Sequence, residues 1–204
     1  GWMRIDSDAS ALQLWGGFTY PLTDGVGLAF DMYVNSGYLG ELDIGPAITA
    51  GPLTLTPMLG LQVDWLSRRA QALVPQFYAV GSLGPIYTEL WFQYYLNSVF
   101  LDDAANQIFV RLIGDFKIND YVAAGLELDL AHDNKGLDRE GQDAKLRSLA
   151  IGPNVLFSNA GAGSSFMIFL GYETKKFYGN NGILPPNDDS ANHLTGRLTF
   201  VHNF

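Results

Sequence analysis

The 204-residue chain contains no cysteine, which removes disulfides and thiolate metal sites from its chemistry. It is also poor in charge. Asp, Glu, Lys and Arg make up 16% of the residues, low for a soluble surface but natural where a broad band faces lipid. Positive charge is the scarcer sign, with 12 Lys and Arg against 21 Asp and Glu, and a net charge of −9 argues against nucleic acid as a partner. Gly161-Ala162-Gly163 is not followed by the Lys of a phosphate loop or by a strand-to-helix transition. The stretch from Gly45 to Val63 carries no charge, yet Pro46, Pro52 and Pro57 rule out a membrane helix, because each removes a backbone donor. A strand pair turning at Ala50 to Pro52 accommodates them. Linkers, low-complexity tracts and helical repeats are absent, so residues 1–204 read as a single domain. No secretory leader is visible at Gly1, so an exported protein would carry this numbering as a mature or recombinant chain.

What the chain does have is a two-faced pattern that recurs along nearly its whole length. From Val26 the even positions read Val26, Leu28, Phe30, Met32 and Val34, opposed by Gly27, Ala29, Asp31, Tyr33 and Asn35. The odd positions from Leu53 to Trp65 are mostly apolar and face Thr54, Thr56, Gln62 and Asp64. Further on, Ile108, Val110, Leu112, Phe116 and Ile118 oppose Gln107, Arg111, Asp115 and Lys117, and Val122 to Leu130 oppose Glu127 and Asp129. Strict period-two alternation marks β-strands with one oily and one polar face, and many in series mark a barrel.

The last strand is the most specific of these. Leu194, Leu198, Phe200 and Phe204 fall on one face, and His193, Thr195, Arg197 and Thr199 on the other. The segment resembles the C-terminal strand of Gram-negative outer-membrane β-barrel, porin-like proteins, in which a terminal Phe helps the insertion machinery recognise the chain. No particular subfamily is identified. The resemblance implies a location in the bacterial outer membrane, with the lipid bilayer and the insertion machinery as partners.

Connections alternate in length. Leu22 to Gly25, Ala50 to Pro52, Ser82 to Pro85, Asn119-Asp120 and Ser158 to Ser164 are short. Between them lie Asn35 to Gly37, Ser67 to Gln71, Asn97 to Asn106, His132 to Asp143 and Tyr178 to Asn192, which grow longer and more polar. This asymmetry resembles outer-membrane barrels, with short periplasmic turns and longer extracellular loops. The expected fold is all-β: a transmembrane antiparallel up-and-down barrel of twelve strands, the first a short one at Trp2 to Asp6. Ten is the alternative count if residues 1–20 form one bent strand or a weak strand is misread. Arg68, Arg69, Lys145, Arg147, Lys175 and Lys176 gather at the loop end, where they would contact lipopolysaccharide phosphates. Outward aromatics form two girdles, Trp65 and Tyr94 near the loops and Tyr20, Phe116, Phe157, Phe166 and Phe204 near the turns.

The inward faces carry the function. Alternation places Asp31, Glu41, Asp43, Asp64, Glu89, Arg111, Asp115, Glu127, Asp129, Glu173 and Arg197 there as pore-lining residues, together with Lys117, Lys175 and His193. Burying an unpaired charge costs several kcal/mol, so these groups must pair or meet water. Arg111 and Arg197 are expected to bridge carboxylates from neighbouring strands, with the other acids solvated. Barrels of ~8 strands are filled by side chains and those of ~16 hold an aqueous channel, so twelve lies between. Inward Trp15, Tyr33, Tyr87, Trp91, Tyr95 and Phe109 narrow the interior further.

The reading is a narrow passive channel for small polar or cationic solutes, with no enzymatic activity, cofactor or metal. One alternative is a closed barrel acting as a scaffold or docking partner, and another is a lipid-modifying enzyme, although no motif like those of barrel phospholipases or lipid A deacylases is present. The loop from His132 to Asp143 has oxygen ligands for calcium, but its spacing does not match the twelve-position helical calcium loop, and it reads as a solvated acidic loop. A soluble ligand-binding barrel would reverse the faces, with apolar side chains inside and charges outside.

Overall fold

The computed structural model describes residues 1–8, 11–102, 104–135, 146–173 and 193–204. Its strands are β1 (Trp2–Asp8), β2 (Leu12–Thr23), β3 (Val26–Asn35), β4 (Leu39–Ala50), β5 (Leu53–Asp64), β6 (Arg69–Leu83), β7 (Ile86–Tyr95), β8 (Asn106–Lys117), β9 (Val122–Lys135), β10 (Leu146–Asn159), β11 (Ser164–Glu173) and β12 (His193–Asn203). Each pairs antiparallel with its neighbours in the chain, and β1 closes on β12, giving an all-β up-and-down barrel of twelve strands. Among the described residues the only helical pieces are single 3-10 turns at Asn97–Val99 and Ala160–Ala162. β1 pairs on both edges, with β12 from Trp2 to Asp8 and with β2 from Trp2 to Ser7, so the first twenty residues are not one bent strand.

The pleat sends the two faces apart as the alternation requires. Leu42, Leu59, Leu126 and Leu170 are each more than half exposed on the outside, whereas Glu41, Asp115 and Asn154 are fully enclosed. This is the inverse of a soluble ligand-binding barrel. Trp65, Tyr20, Phe116, Phe157, Phe166 and Phe204 are exposed. Tyr94 is half-buried, and its hydroxyl accepts a hydrogen bond from Asn134 Nδ2 at 2.9 Å. The Trp65 indole lies over Gly40, where a Cβ would fall 2.1 Å from Nε1.

The uncharged stretch from Gly45 to Val63 forms the β4–β5 hairpin. Its ladder runs to Ile44↔Leu59 and resumes at Ile48↔Leu55, skipping Pro46 and Pro57, which have no N–H to donate. The β10–β11 ladder has a similar gap between Ile151↔Tyr172 and Asn154↔Phe169, around Gly152-Pro153. The strands approach closely where the donors are missing, and a Cβ on Gly45 would lie 2.0 Å from the Pro57 carbonyl oxygen. Gly45→Val should therefore destabilise the barrel by about 3 kcal/mol, the upper end of overpacking costs. The check is loss of the folded, heat-modifiable band in cold electrophoresis.

The β2–β3, β4–β5, β6–β7, β8–β9 and β10–β11 turns lie at one end, together with both termini, whose Gly1 amine donates to the Phe204 carbonyl at 2.9 Å; at the other end the β3–β4 and β5–β6 connections, expected to be longer, are just as short. Gly51 and Gly84 take φ of 62° in the β4–β5 and β6–β7 turns, a left-handed conformation that favours glycine. The β8–β9 turn instead uses Asn119, whose side-chain oxygen accepts from the Tyr121 and Val122 amides at 2.8 and 3.0 Å.

Candidate functional site

The barrel interior is crossed by a web of ion pairs drawn from β1, β7, β8, β9 and β12. Arg4 on β1 donates from Nε to Asp6 Oδ1 at 3.0 Å and from Nη1 to Glu89 Oε1 at 2.6 Å. Glu89 belongs to β7, six strands round a twelve-strand ring, so this bond ties opposite walls together. Arg111 on β8 donates from Nε to Asp129 Oδ1 at 3.0 Å and from Nη1 across the lumen to Asp6 Oδ2 at 3.3 Å. Arg197 on β12 donates to Glu127 and Asp129 on β9. The Thr199 hydroxyl donates to Asp6 Oδ1 at 2.6 Å, and Tyr87 donates to Glu89 Oε2 at 3.0 Å. Every guanidinium and carboxylate in the web is at least nine-tenths buried, so their mutual pairing offsets a desolvation cost of several kcal/mol per ion.

An aromatic group spans the same lumen. Trp15 on β2 meets Trp91 on β7 edge-on with ring centroids 4.4 Å apart and packs against Tyr33 at 4.0 Å. Both the Arg4 and Arg111 guanidiniums lie 5.7 Å from the Trp91 ring centroid. Trp91 thus joins the aromatic and ionic halves of the constriction.

The wall formed by β3 to β7 carries acids and, apart from Arg69 at its loop end, no bases. Glu41 is enclosed by amides: Gln62 donates to Oε2 at 3.4 Å, while Gln76 and Gln93 donate to Oε1 at 3.4 and 3.2 Å. Trp91 Nε1 donates to Gln76 Oε1 at 3.1 Å, and Tyr95 to Gln93 Oε1 at 3.0 Å, which fixes the amide orientations. Asp31 and Asp43 stand directly opposite each other on β3 and β4. Towards the turn end, Asp115 accepts from Asn154 Nδ2 at 2.8 Å.

The interior differs from the sequence expectation in how its charges are satisfied. Arg111 does pair with a neighbouring strand, but Arg197 reaches three strands away, from β12 to β9. Glu41, Asp43, Glu89 and Asp115 are buried against amides, hydroxyls or arginine and not solvated. Asp64 ends β5, where its carboxylate accepts from the Leu66 and Ser67 amides at 2.8 and 3.0 Å and so caps the turn. Glu173 accepts from the Ser148 hydroxyl at 2.7 Å near the loop end. Arg4 and Asp6, both central to the web, are absent from the expected set, although Met3 and Ile5 alternating with Arg4 and Asp6 carry the signal. Arg68 and Arg69 sit at the β5–β6 turn, and Arg147 pairs with Asp133 on β9 at 2.5 Å. Lys145, Lys175 and Lys176 lie outside the described residues, as does most of the expected acidic loop.

Among the described residues, no three His, Asp or Glu side chains are arranged to hold a metal ion. A serine and a histidine do meet, Ser164 Oγ to His202 Nδ1 at 2.9 Å, but no carboxylate bonds this imidazole among the described residues. What the interior offers chemically is fixed charge: three arginines tied into one web, and a surplus of carboxylates beyond it.

No protein-family model matches the chain, and no curated protein matches its sequence. Solved structures do match its fold. The NanC porin superposes with a TM-score of 0.60 at 10% identity, covering 100% of this chain and 99% of that one. The KdgM porin gives 0.52 at 8% identity, covering 100% and 98%. Its complex with disordered oligogalacturonate gives 0.53 at 9% identity over the same shares. The chain therefore shares the barrel fold of outer-membrane porins along its whole length.

Proposed function

We propose that the protein is an outer-membrane channel of low conductance, passing small polar or cationic solutes along an acid-rich interior that the arginine web constricts. Its exterior supports the membrane setting, since a continuous apolar band of this extent is foreign to water-soluble monomers. Strands of about ten residues also suit a bilayer crossing. Arg68 and Arg69 at the loop end are the described candidates for lipopolysaccharide phosphates.

The observation that carries the reading is the imbalance of interior charge. Asp31, Glu41 and Asp43 have no arginine or lysine partner among the described residues, while all three interior arginines are engaged elsewhere. Such a wall favours cations and is unsuited to a polyanion like the oligogalacturonate seen with the KdgM porin. In planar bilayers under a potassium chloride gradient, the folded chain should show small steps reversing on the potassium side. Charge-neutral Asp31→Asn/Asp43→Asn should shift that reversal potential towards zero. Anion selectivity in the parent would overturn the proposal.

A second reading, a closed barrel acting as scaffold or docking partner, is favoured by the wall-to-wall contacts Arg4–Glu89 and Trp15–Trp91. Absence of current from a barrel shown to be folded and inserted selects it.

A further inference from the structure

Six successive strands, β7 to β12, each turn one apolar side chain inward, and the six pack as one cluster: Tyr87, Ile113, Ala123, Leu156, Met167 and Val201. That arc is half the circumference. The opposite arc repeats the device, with Ala29, Ala47 and Met58 buried together on β3, β4 and β5. Ile113 is 1% exposed and Met167 3%, so both are enclosed by protein.

This belt lies on the turn side of the arginine web. On β8 Ile113 is the next inward residue after Arg111, and on β12 Val201 follows Arg197 and Thr199. The sequence marks the same level, because alternation fails there and both faces turn apolar: Leu112-Ile113, Val155-Leu156-Phe157, Phe166-Met167-Ile168 and Phe200-Val201. A membrane barrel presents its apolar faces to lipid and keeps a polar interior, so the fold alone does not require an apolar belt inside. The polar pair beside it, Asp115 and Asn154, is fully enclosed and bonded within itself across Gly125 at 2.8 Å, and adds no exposed polar surface.

Ions cross such a belt only with water. An unpaired charge moved into apolar surroundings costs several kcal/mol, and a narrow apolar space stays dry. Hydrophobic constrictions gate channels in this way, by wetting and drying. We propose that the belt is a hydrophobic gate in the turn-end half of the lumen, shut while dry and open when a column of water fills it. As a gate it rests on the channel reading; as a dry belt it does not. Web and belt stand in series with separate effects, the web setting the size of the open step and the belt setting how often the lumen opens. Tyr87 joins them, since its ring packs in the belt while its hydroxyl donates to Glu89 of the web at 3.0 Å.

Threonine and valine are close in shape and differ by a hydroxyl, so Ile113→Thr against Ile113→Val separates wetting from size. With the full chain reconstituted in lipid vesicles, hydroxyl radicals generated in the water should spare Met167 in the parent and in Ile113→Val, and oxidise it severalfold faster in Ile113→Thr. In planar bilayers the fraction of time spent open should rise severalfold in Ile113→Thr alone, with the unit step unchanged. Leu156→Thr against Leu156→Val repeats the comparison if Ile113→Thr does not fold. Equal oxidation of Met167 in the parent and Ile113→Thr, or equal effects of the two substitutions, overturns the proposal. A parent that conducts with Met167 freely oxidised loses the gate and keeps the channel. If Ile113→Thr wets Met167 yet no folded, inserted variant conducts, the dry belt stands while the channel, and the gate with it, is lost.

Discussion

Arg4→Ala should destabilise the barrel by about 3–5 kcal/mol and, on the channel reading, raise its unit conductance severalfold, because it leaves Glu89 buried without a cation and Asp6 with Arg111 alone while removing the tie between opposite walls. Asp6 is fully enclosed and accepts both Nε contacts of Arg4, at 3.0 and 3.1 Å, and Glu89 is 1% exposed. The expected readouts are a lower urea midpoint in lipid bilayers and larger steps in planar recordings. Glu89→Gln keeps a hydrogen-bond acceptor for Arg4 and should cost less. In a double-mutant cycle, Arg4→Met with Glu89→Leu should fall well short of the sum of the single losses, since no charge is left stranded. If Arg4→Ala changed neither stability nor current, the web would not be the constriction.

Trp91→Ala carries the second large effect. The indole meets Trp15 at 4.4 Å and Tyr78 at 5.9 Å, lies near two guanidiniums and donates to Gln76. Truncating a buried aromatic of this kind costs about 3–5 kcal/mol. It also frees Arg4 and Arg111 from their shared ring, so noisier and larger current steps are expected than in the parent. Trp91→Phe retains the ring and loses only the Nε1–H bond to Gln76, which should cost about 1 kcal/mol. Equal unfolding midpoints for the Ala and Phe variants would mean that the ring's packing contributes nothing.

Strands and their faces were legible in the residues because a pleated chain repeats every two positions, and a wall between lipid and interior enforces that repeat at each strand. Val26 to Asn35 and Val122 to Leu130 show it without reference to any contact. β1 was harder, since seven residues give few alternations, and its inward Arg4 and Asp6 went unassigned for that reason. Partners across the lumen are not legible at all. Which residue on β7 faces Arg4 depends on barrel closure and strand stagger, quantities that no local pattern encodes. The glutamines show the same limit: Gln62, Gln76 and Gln93 read as ordinary polar positions until β4, β5, β6 and β7 bring them round Glu41.

β1 contributes the fewest rungs of any strand, seven to β12 and six to β2, against twelve between β5 and β6. By backbone pairing alone it is the weakest stave of the cask. Arg4 and Asp6 change that balance, fastening the stave from inside to timbers on the far wall. A fault in the hollow middle would then first show as a leak along the outer seam.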